Sequence, residues 1–243
     1  MKRRAILQGA AALSATLPLV SMTENAMAQT KDSPPFDVPG LRFDWDALEP
    51  AISRAALRAH HEEVHKGYAD AINRIVAGRD AHADQSIEEV LQNPDAIDPA
   101  VRDAALDVGG AHANHQFFWK VIGPGGGDRP DGPLANAIER DQGGFEAFQA
   151  SFVQQALALD GPGFAFLSLA APKSDALEIV VLPRNGNVLT VGKPGILVCD
   201  LWDHAWAADH ASRADWLAAF WTIVDWDVCE NRYVALREGR VPE

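Results

Sequence analysis

Asp200 and His204 stand four residues apart in the stretch Asp200-Leu201-Trp202-Asp203-His204. Four residues is about one helical turn, so a carboxylate and an imidazole at that spacing can face a single point. Such a mixed oxygen and nitrogen pair is a ready donor set for a divalent or trivalent transition metal. The same spacing also arises by chance, so its meaning depends on further donors elsewhere. Eight histidines are available: His60, His61, His65, His82, His112, His115, His204 and His210. Most ride on apolar helical faces, where a histidine is commonly a core side chain with its hydrogen bonds satisfied. His112 lies one turn from His115, would share its face and competes with it as a ligand.

The elements that must position these groups follow from periodicity. Leu57, His60, His61, Val64, Tyr68, Ile72 and Ile75 recur at three- and four-residue intervals, which predicts a helix from Ile52 to about Ala77, with Gly78 as its stop. A short helix is expected around Ile87–Leu91. Asp98-Pro99-Ala100 opens another, running to about Val121 with His112, His115, Phe118 and Trp119 on one face. Pro124-Gly125-Gly126-Gly127 breaks it and marks a lobe boundary. Helices are expected again over Leu134–Asp141 and Phe145–Ala158. The pattern then changes to strands at Phe164–Leu169, Leu177–Leu182 and Gly195–Cys199, with a turn at Arg184-Asn185-Gly186-Asn187. Ala205–Arg237 reads as helical. The fold class is therefore α+β: an N-terminal helical hairpin lobe over 41–124, then a metal-binding lobe over 125–243 of helices with a small three-stranded antiparallel sheet.

The first residues belong to a different kind of segment. Lys2, Arg3 and Arg4 precede a short apolar run from Ala10 to Val20, and Ala26-Met27-Ala28 has the small-x-small pattern of a cleavage site. Residues 1–28 resemble a twin-arginine export signal, and 29–40 read as a linker. The expected location is the periplasm, with no membrane attachment once the signal is removed. That signal holds three cations and one glutamate, so its loss takes the net charge from −13 to −15. With no long basic run, the composition argues against a nucleic-acid partner. Of the two cysteines, Cys199 sits in an apolar run and is expected as a buried thiol.

The wording around the histidines carries a resemblance. Ala59-His60-His61-Glu62-Glu63-Val64-His65-Lys66-Gly67-Tyr68 resembles the first-helix motif of the iron/manganese superoxide dismutases. Gly109-Gly110-Ala111-His112-Ala113-Asn114-His115-Gln116-Phe117-Phe118-Trp119 resembles that family's second-helix motif, and Asp200-Leu201-Trp202-Asp203-His204 its D-x-W-x-H signature. Asp46-Ala47-Leu48-Glu49-Pro50 is similar to the lead-in, and Asp225-Trp226-Asp227 with Arg232-Tyr233 to the final helix, so the likeness spans residues 41–236 in order. It implies one manganese or iron ion per subunit, held by His60, His115, Asp200 and His204, and the conversion of superoxide to oxygen and hydrogen peroxide. It also implies Tyr68 as the gateway hydroxyl that helps relay protons. Around the ion it implies Asn114, Trp119, Phe164, Phe166, Asn185, Trp202 and Asp203, several of them as a wall that keeps the centre dry.

Several positions depart from the family. Val64 replaces a histidine and Ala207 a tyrosine, which normally pair across a dimer interface. Asp203 replaces a bridging glutamate, so a homodimer would need a different approach of its subunits. The glutamine that bonds the metal's solvent is absent from both of its usual places, which here hold Asn185 and Ala111. Phe164 and Phe166 replace paired tryptophans. Lys66 and Arg213 are candidates for drawing an anion toward an otherwise acidic protein. The alternative reading is an exported relative that binds manganese or iron without turnover. A zinc hydrolase fits poorly, since no general base accompanies the cluster.

Overall fold

A computed structural model of the chain describes residues 35–77, 85–127 and 129–242. The expected signal, the first half of the linker, Gly78 and His82 lie outside the described residues. Among those described, no helix is long and apolar enough to cross a membrane.

Ser53 opens the first helical rod, its hydroxyl accepting from Ala56 N at 3.2 Å, so α1 (Arg54–Arg58) begins two residues later than periodicity suggests. The chain then winds as a π-helix over Ala59–His65 before α2 (Lys66–Val76). This wide stretch has a direct consequence. In an α-helix, residues five apart diverge by well over a quarter turn. The i→i+5 bonding of a π-helix brings them nearly into line, so His60 and His65 are both buried. Helix α3 (Ile87–Gln92) starts at a reciprocal cap, in which Ser86 Oγ accepts from Glu89 N and the Glu89 carboxylate accepts from Ser86 N. A turn over Asp98–Val101 precedes α4 (Arg102–Val121), which therefore starts later than its Asp98-Pro99 signal. α2 packs along α4 to make the helical hairpin.

The second half holds α5 (Pro133–Gln142) and α6 (Phe145–Ala158), then β1 (Gly163–Leu169), β2 (Leu177–Pro183) and β3 (Gly195–Asp200). The sheet is antiparallel in the order β2-β1-β3. Every residue of β1 and of β3 is buried, which explains why both read as continuous apolar runs rather than alternating ones. The expected single helical stretch from Ala205 to Arg237 is instead three helices: α7 (Asp203–Trp206), α8 (Arg213–Phe220) and α9 (Trp226–Arg237). Ser212 and Asp225 cause the restarts, each accepting a backbone N–H three residues on.

The larger core cluster surrounds the sheet with Phe118, Phe148, Phe152, Phe164, Phe166, Trp216 and Phe220. A smaller one, with Phe36, Ile72, Ile87 and Leu91, lies under the hairpin. Full burial of such a side chain contributes roughly 1.5–3 kcal/mol. These clusters fix α4 against β3, and that contact brings the two halves of the chain together at the histidines.

Candidate metal centre

Four elements each contribute one donor. His60 comes from the π-helical stretch, His115 from α4, Asp200 from the last position of β3 and His204 from α7. Asp200 lies opposite Phe164 in the sheet register, and its backbone oxygen accepts from Trp216 Nε1 at 2.8 Å. Its Oδ1 accepts from Trp202 N at 2.8 Å, which turns the chain into α7 and aims Oδ2 inward. The Nε2 atoms of His204, His60 and His115 lie 3.2, 3.3 and 3.6 Å from that one oxygen. With bonds of about 2.1 Å to a shared ion, donors subtending 90–120° stand about 3.0–3.6 Å apart. One donor atom from each of the four residues lies within 4.8 Å of the others. The buried Nε2 atoms of His60 and His115 have no hydrogen-bond partner among the described residues. Buried polar atoms are seldom left orphaned, so the donor set fits a cation at this point.

The protonation states fit as well. Burial, assisted by His60, lowers His115 to about 3, and burial is also the main cause holding His60 below its ordinary value. Both rings are therefore neutral at pH 7. His115 Nδ1 lies 2.7 Å from the Ala111 carbonyl, which can only accept, so the proton sits on Nδ1 and Nε2 keeps its lone pair. Burial alone would push the Asp200 carboxyl up. The imidazoles of His204 and His60, whose Nε2 atoms face its Oδ2, outweigh it and hold the group well below the usual carboxylate range. Neutral imidazoles and one carboxylate, with no thiolate, suit manganese or iron better than a structural zinc ion. Cys199, next in sequence, is a buried thiol pushed up by burial, and Cys229 is likewise free.

Aromatic rings enclose the donors. Phe118 stacks on His60 at 5.8 Å, Trp119 meets it edge-on at 4.8 Å, Phe164 lies 6.0 Å from His115, and Trp202 stacks on His204 at 5.7 Å. Phe166 packs against Phe164 at 6.3 Å. His204 is 21% exposed while the other three donors are 2% or less, so the centre opens along one edge.

His112 is not among the four donors. It bonds His65 instead, and His65 stacks on His115 at 5.2 Å. Trp119 Nε1, a donor only, gives its hydrogen to His65 Nδ1 at 3.0 Å. His65 must then carry its own proton on Nε2, which it donates to His112 Nδ1 at 2.9 Å. The chain Trp119–His65–His112 thus has one permitted direction and two fixed tautomers. His65 falls off the three- and four-residue periodicity, so the sequence assigns it no role; its place emerges from the π-helical winding. His61 is separate, its Nε2 on the Pro39 carbonyl at 2.8 Å, and His210 likewise bonds the Ala51 carbonyl at 2.8 Å.

Tyr68 tilts over His115 at 5.4 Å. Burial chiefly, with the negative charge of Asp200, pushes its hydroxyl above the ordinary tyrosine range, against a smaller opposing effect of the nearby Asn185 amide. Asn185 Nδ2 also donates to Asp107 Oδ1 at 3.2 Å. Asn114 Nδ2 donates to the Gly186 carbonyl at 3.0 Å and its Oδ1 accepts from Asn187 at 2.7 Å, so Asn114 ties the turn to α4. Gly110 permits that close approach, since a Cβ there would lie 2.5 Å from Asn185 O. Asp203 and Ala207 are exposed on and just after α7, and Val64 is half-buried. Lys66 is paired with Asp70 at 2.7 Å, which offsets its charge, and Arg213 is tied to the Leu159 and Gly161 carbonyls.

Residues 35–123 match the alpha-hairpin domain of the iron/manganese superoxide dismutases, and residues 130–232 match that family's C-terminal domain. A Bordetella pertussis protein named superoxide dismutase [Mn] is 35% identical over 206 residues, covering 84% of this chain and 97% of the relative. A Listeria innocua protein of the same name is 34% identical over 203 residues, covering 83% and 99%.

Proposed function

This chain belongs to the iron/manganese superoxide dismutase family, and from that premise we propose that it converts superoxide to oxygen and hydrogen peroxide. The observation carrying the proposal is the convergence of three imidazole Nε2 atoms on one Asp200 oxygen at 3.2–3.6 Å, two of them otherwise unpartnered. His60, His115, Asp200 and His204 would hold one manganese or iron ion. When bound, the ion supplies one-electron chemistry, accepting an electron from one superoxide, which leaves as oxygen, and returning it to a second, which leaves as hydrogen peroxide with two protons. Asp200 contributes the single negative charge among the donors and so favours the higher oxidation state. Phe118, Trp119 and Phe164 exclude bulk water and strengthen every charge interaction inside. Tyr68, tilted over His115, holds a proton beside the centre throughout the neutral range. The exposed edge of His204 is the side from which a small anion would approach.

The test is to load the protein separately with each metal, measure the ion bound per chain and follow superoxide loss. A second reading has an observation in its favour. The apolar side chains Val64 and Ala207 offer no hydrogen bonds where the family's histidine and tyrosine stand, and the Asn185 amide bonds Asp107. On that reading the protein is an exported holder of manganese or iron, and stoichiometric metal without turnover would favour it. In either case we propose that the chain acts in the periplasm, on the strength of its Arg3-Arg4 leader.

A further inference from the structure

The four donors are not equally held. His60, His115 and Asp200 stand on long or paired elements, whereas the half-exposed His204 rides on α7, a single turn of four residues. One turn of helix does not support itself in water, so contacts beyond it must fix where His204 points. On its upstream side these contacts are with the sheet half of the chain. Trp202 N donates to Asp200 Oδ1 at 2.8 Å and Trp202 Nε1 to the Arg184 carbonyl at 3.2 Å. On its downstream side the winding continues, with Asp209 N and His210 N both donating to the Trp206 carbonyl. There Asp209 Oδ2 accepts from Ser53 N at 2.8 Å, and His210 Nε2 donates to the Ala51 carbonyl at 2.8 Å.

Two adjacent side chains thus tie the far end of this segment to the entrance of the rod that carries His60. Ser53 opens that rod. Its Oγ accepts from Ala56 N at 3.2 Å, and Arg54 N donates to Glu49 Oε1 at 3.2 Å, so both amides are satisfied from nearby. Ser53 N instead finds its acceptor 156 residues away, in a carboxylate that the helix dipole favours at this end. His60 follows Ser53 by seven residues along the same rod, and His204 precedes Asp209 by five. The bonds therefore close a ring that runs from Ser53 to His60, across the point that the donors face, to His204 and back through Asp209. α7 lies against both α1 and the π-helical stretch, which keeps that ring short. We propose that Asp209 and His210 are positioning residues for His204, holding α7 against the start of the rod so that His204 Nε2 stays within reach of the point His60 faces from the other side. This rests on the reading of the four side chains as a metal centre.

The metal-free protein gives the first test. In Asp209→Ala and in His210→Phe, hydrogen–deuterium exchange at the Ala205 and Ala207 amides should quicken about fivefold, the worth of one net hydrogen bond, while the Phe118 amide in α4 keeps its rate. In the metal-loaded protein, release of manganese to excess chelator should quicken about fivefold in each variant. Asp209→Asn keeps an acceptor oxygen for Ser53 N and should bring both rates back to within about twofold of the unaltered chain. If Asp209 only caps α1, Asp209→Ala would loosen residues 53–56 and leave Ala205, Ala207 and metal release unmoved. That result would overturn the proposal, as would an Asp209→Asn protein that behaves like Asp209→Ala. An unaltered chain that binds neither manganese nor iron would defeat the metal reading instead, while the amide exchange still decides whether Asp209 and His210 hold α7.

Discussion

Acid should unfold the metal-free protein through its buried imidazoles. His60, His65, His112 and His115 are each held below their ordinary value chiefly by burial, His112 at about 4 and His115 at about 3. In the unfolded chain each titrates near about 6.5. Between those limits the unfolded state binds more protons, so stability is fully present above about pH 6.5 and is lost as pH falls toward about 4. Going from about pH 7.5 to 5.5, each such ring contributes about 1.4 kcal/mol of destabilisation. His65, His112 and His115 together remove about 4 kcal/mol, a large part of an ordinary folding free energy, and His60 acts in the same direction. Asp200 adds nothing in this window, because its depressed value matters only below about pH 4. Urea unfolding of the metal-free protein, followed by circular dichroism at about pH 7.5, 6.5 and 5.5, reads the effect directly. A free energy that changes by less than about 1 kcal/mol across that range would refute the neutral, buried assignment of these rings.

Replacing Tyr68 by phenylalanine should slow turnover about a hundredfold, the low end of what a positioned proton-transfer group contributes, while metal analysis shows full occupancy. Trp119→Phe removes the donor to His65 Nδ1 and leaves a buried acceptor unpaired; urea unfolding should show a loss of about 1–3 kcal/mol, and no loss would mean the Trp119–His65–His112 chain contributes nothing. Lysines in place of Arg3 and Arg4 should leave the precursor uncleaved in the cytoplasm, whereas the unaltered chain should be recovered from the periplasm without residues 1–28, as N-terminal sequencing would show.

Much of the site was legible because its residues sit in distinctive local words. Asp200-Leu201-Trp202-Asp203-His204 is one such word, and the histidines of the two helices are others, each readable within a short stretch. The structure brings His60, His115, Asp200 and His204 together as those words imply. What escaped the sequence depends on winding and on long-range contact. A period of about 3.6 does not reveal the π-helical stretch, and without it His65 does not face inward with His60. Phe118 stacks on His60 only because α4 lies against that stretch, and nothing local announces it. Asp107 reads as one more solvated helical carboxylate until the β2–β3 turn places Asn185 beside it, 78 residues away in sequence. The restarts at Ser212 and Asp225 did have a visible signal, since both are good capping residues, but the run of tryptophans and alanines around them masks it.

The central claim is that four side chains from separate halves of the chain grip one ion. A crystal structure of the metal-loaded protein, with the ion located by its anomalous scattering, tests this most directly. The prediction is one manganese or iron ion per chain, bonded to Nε2 of His60, His115 and His204 and to Oδ2 of Asp200. An ion found elsewhere, or one that keeps its place and occupancy in His115→Ala, would contradict it.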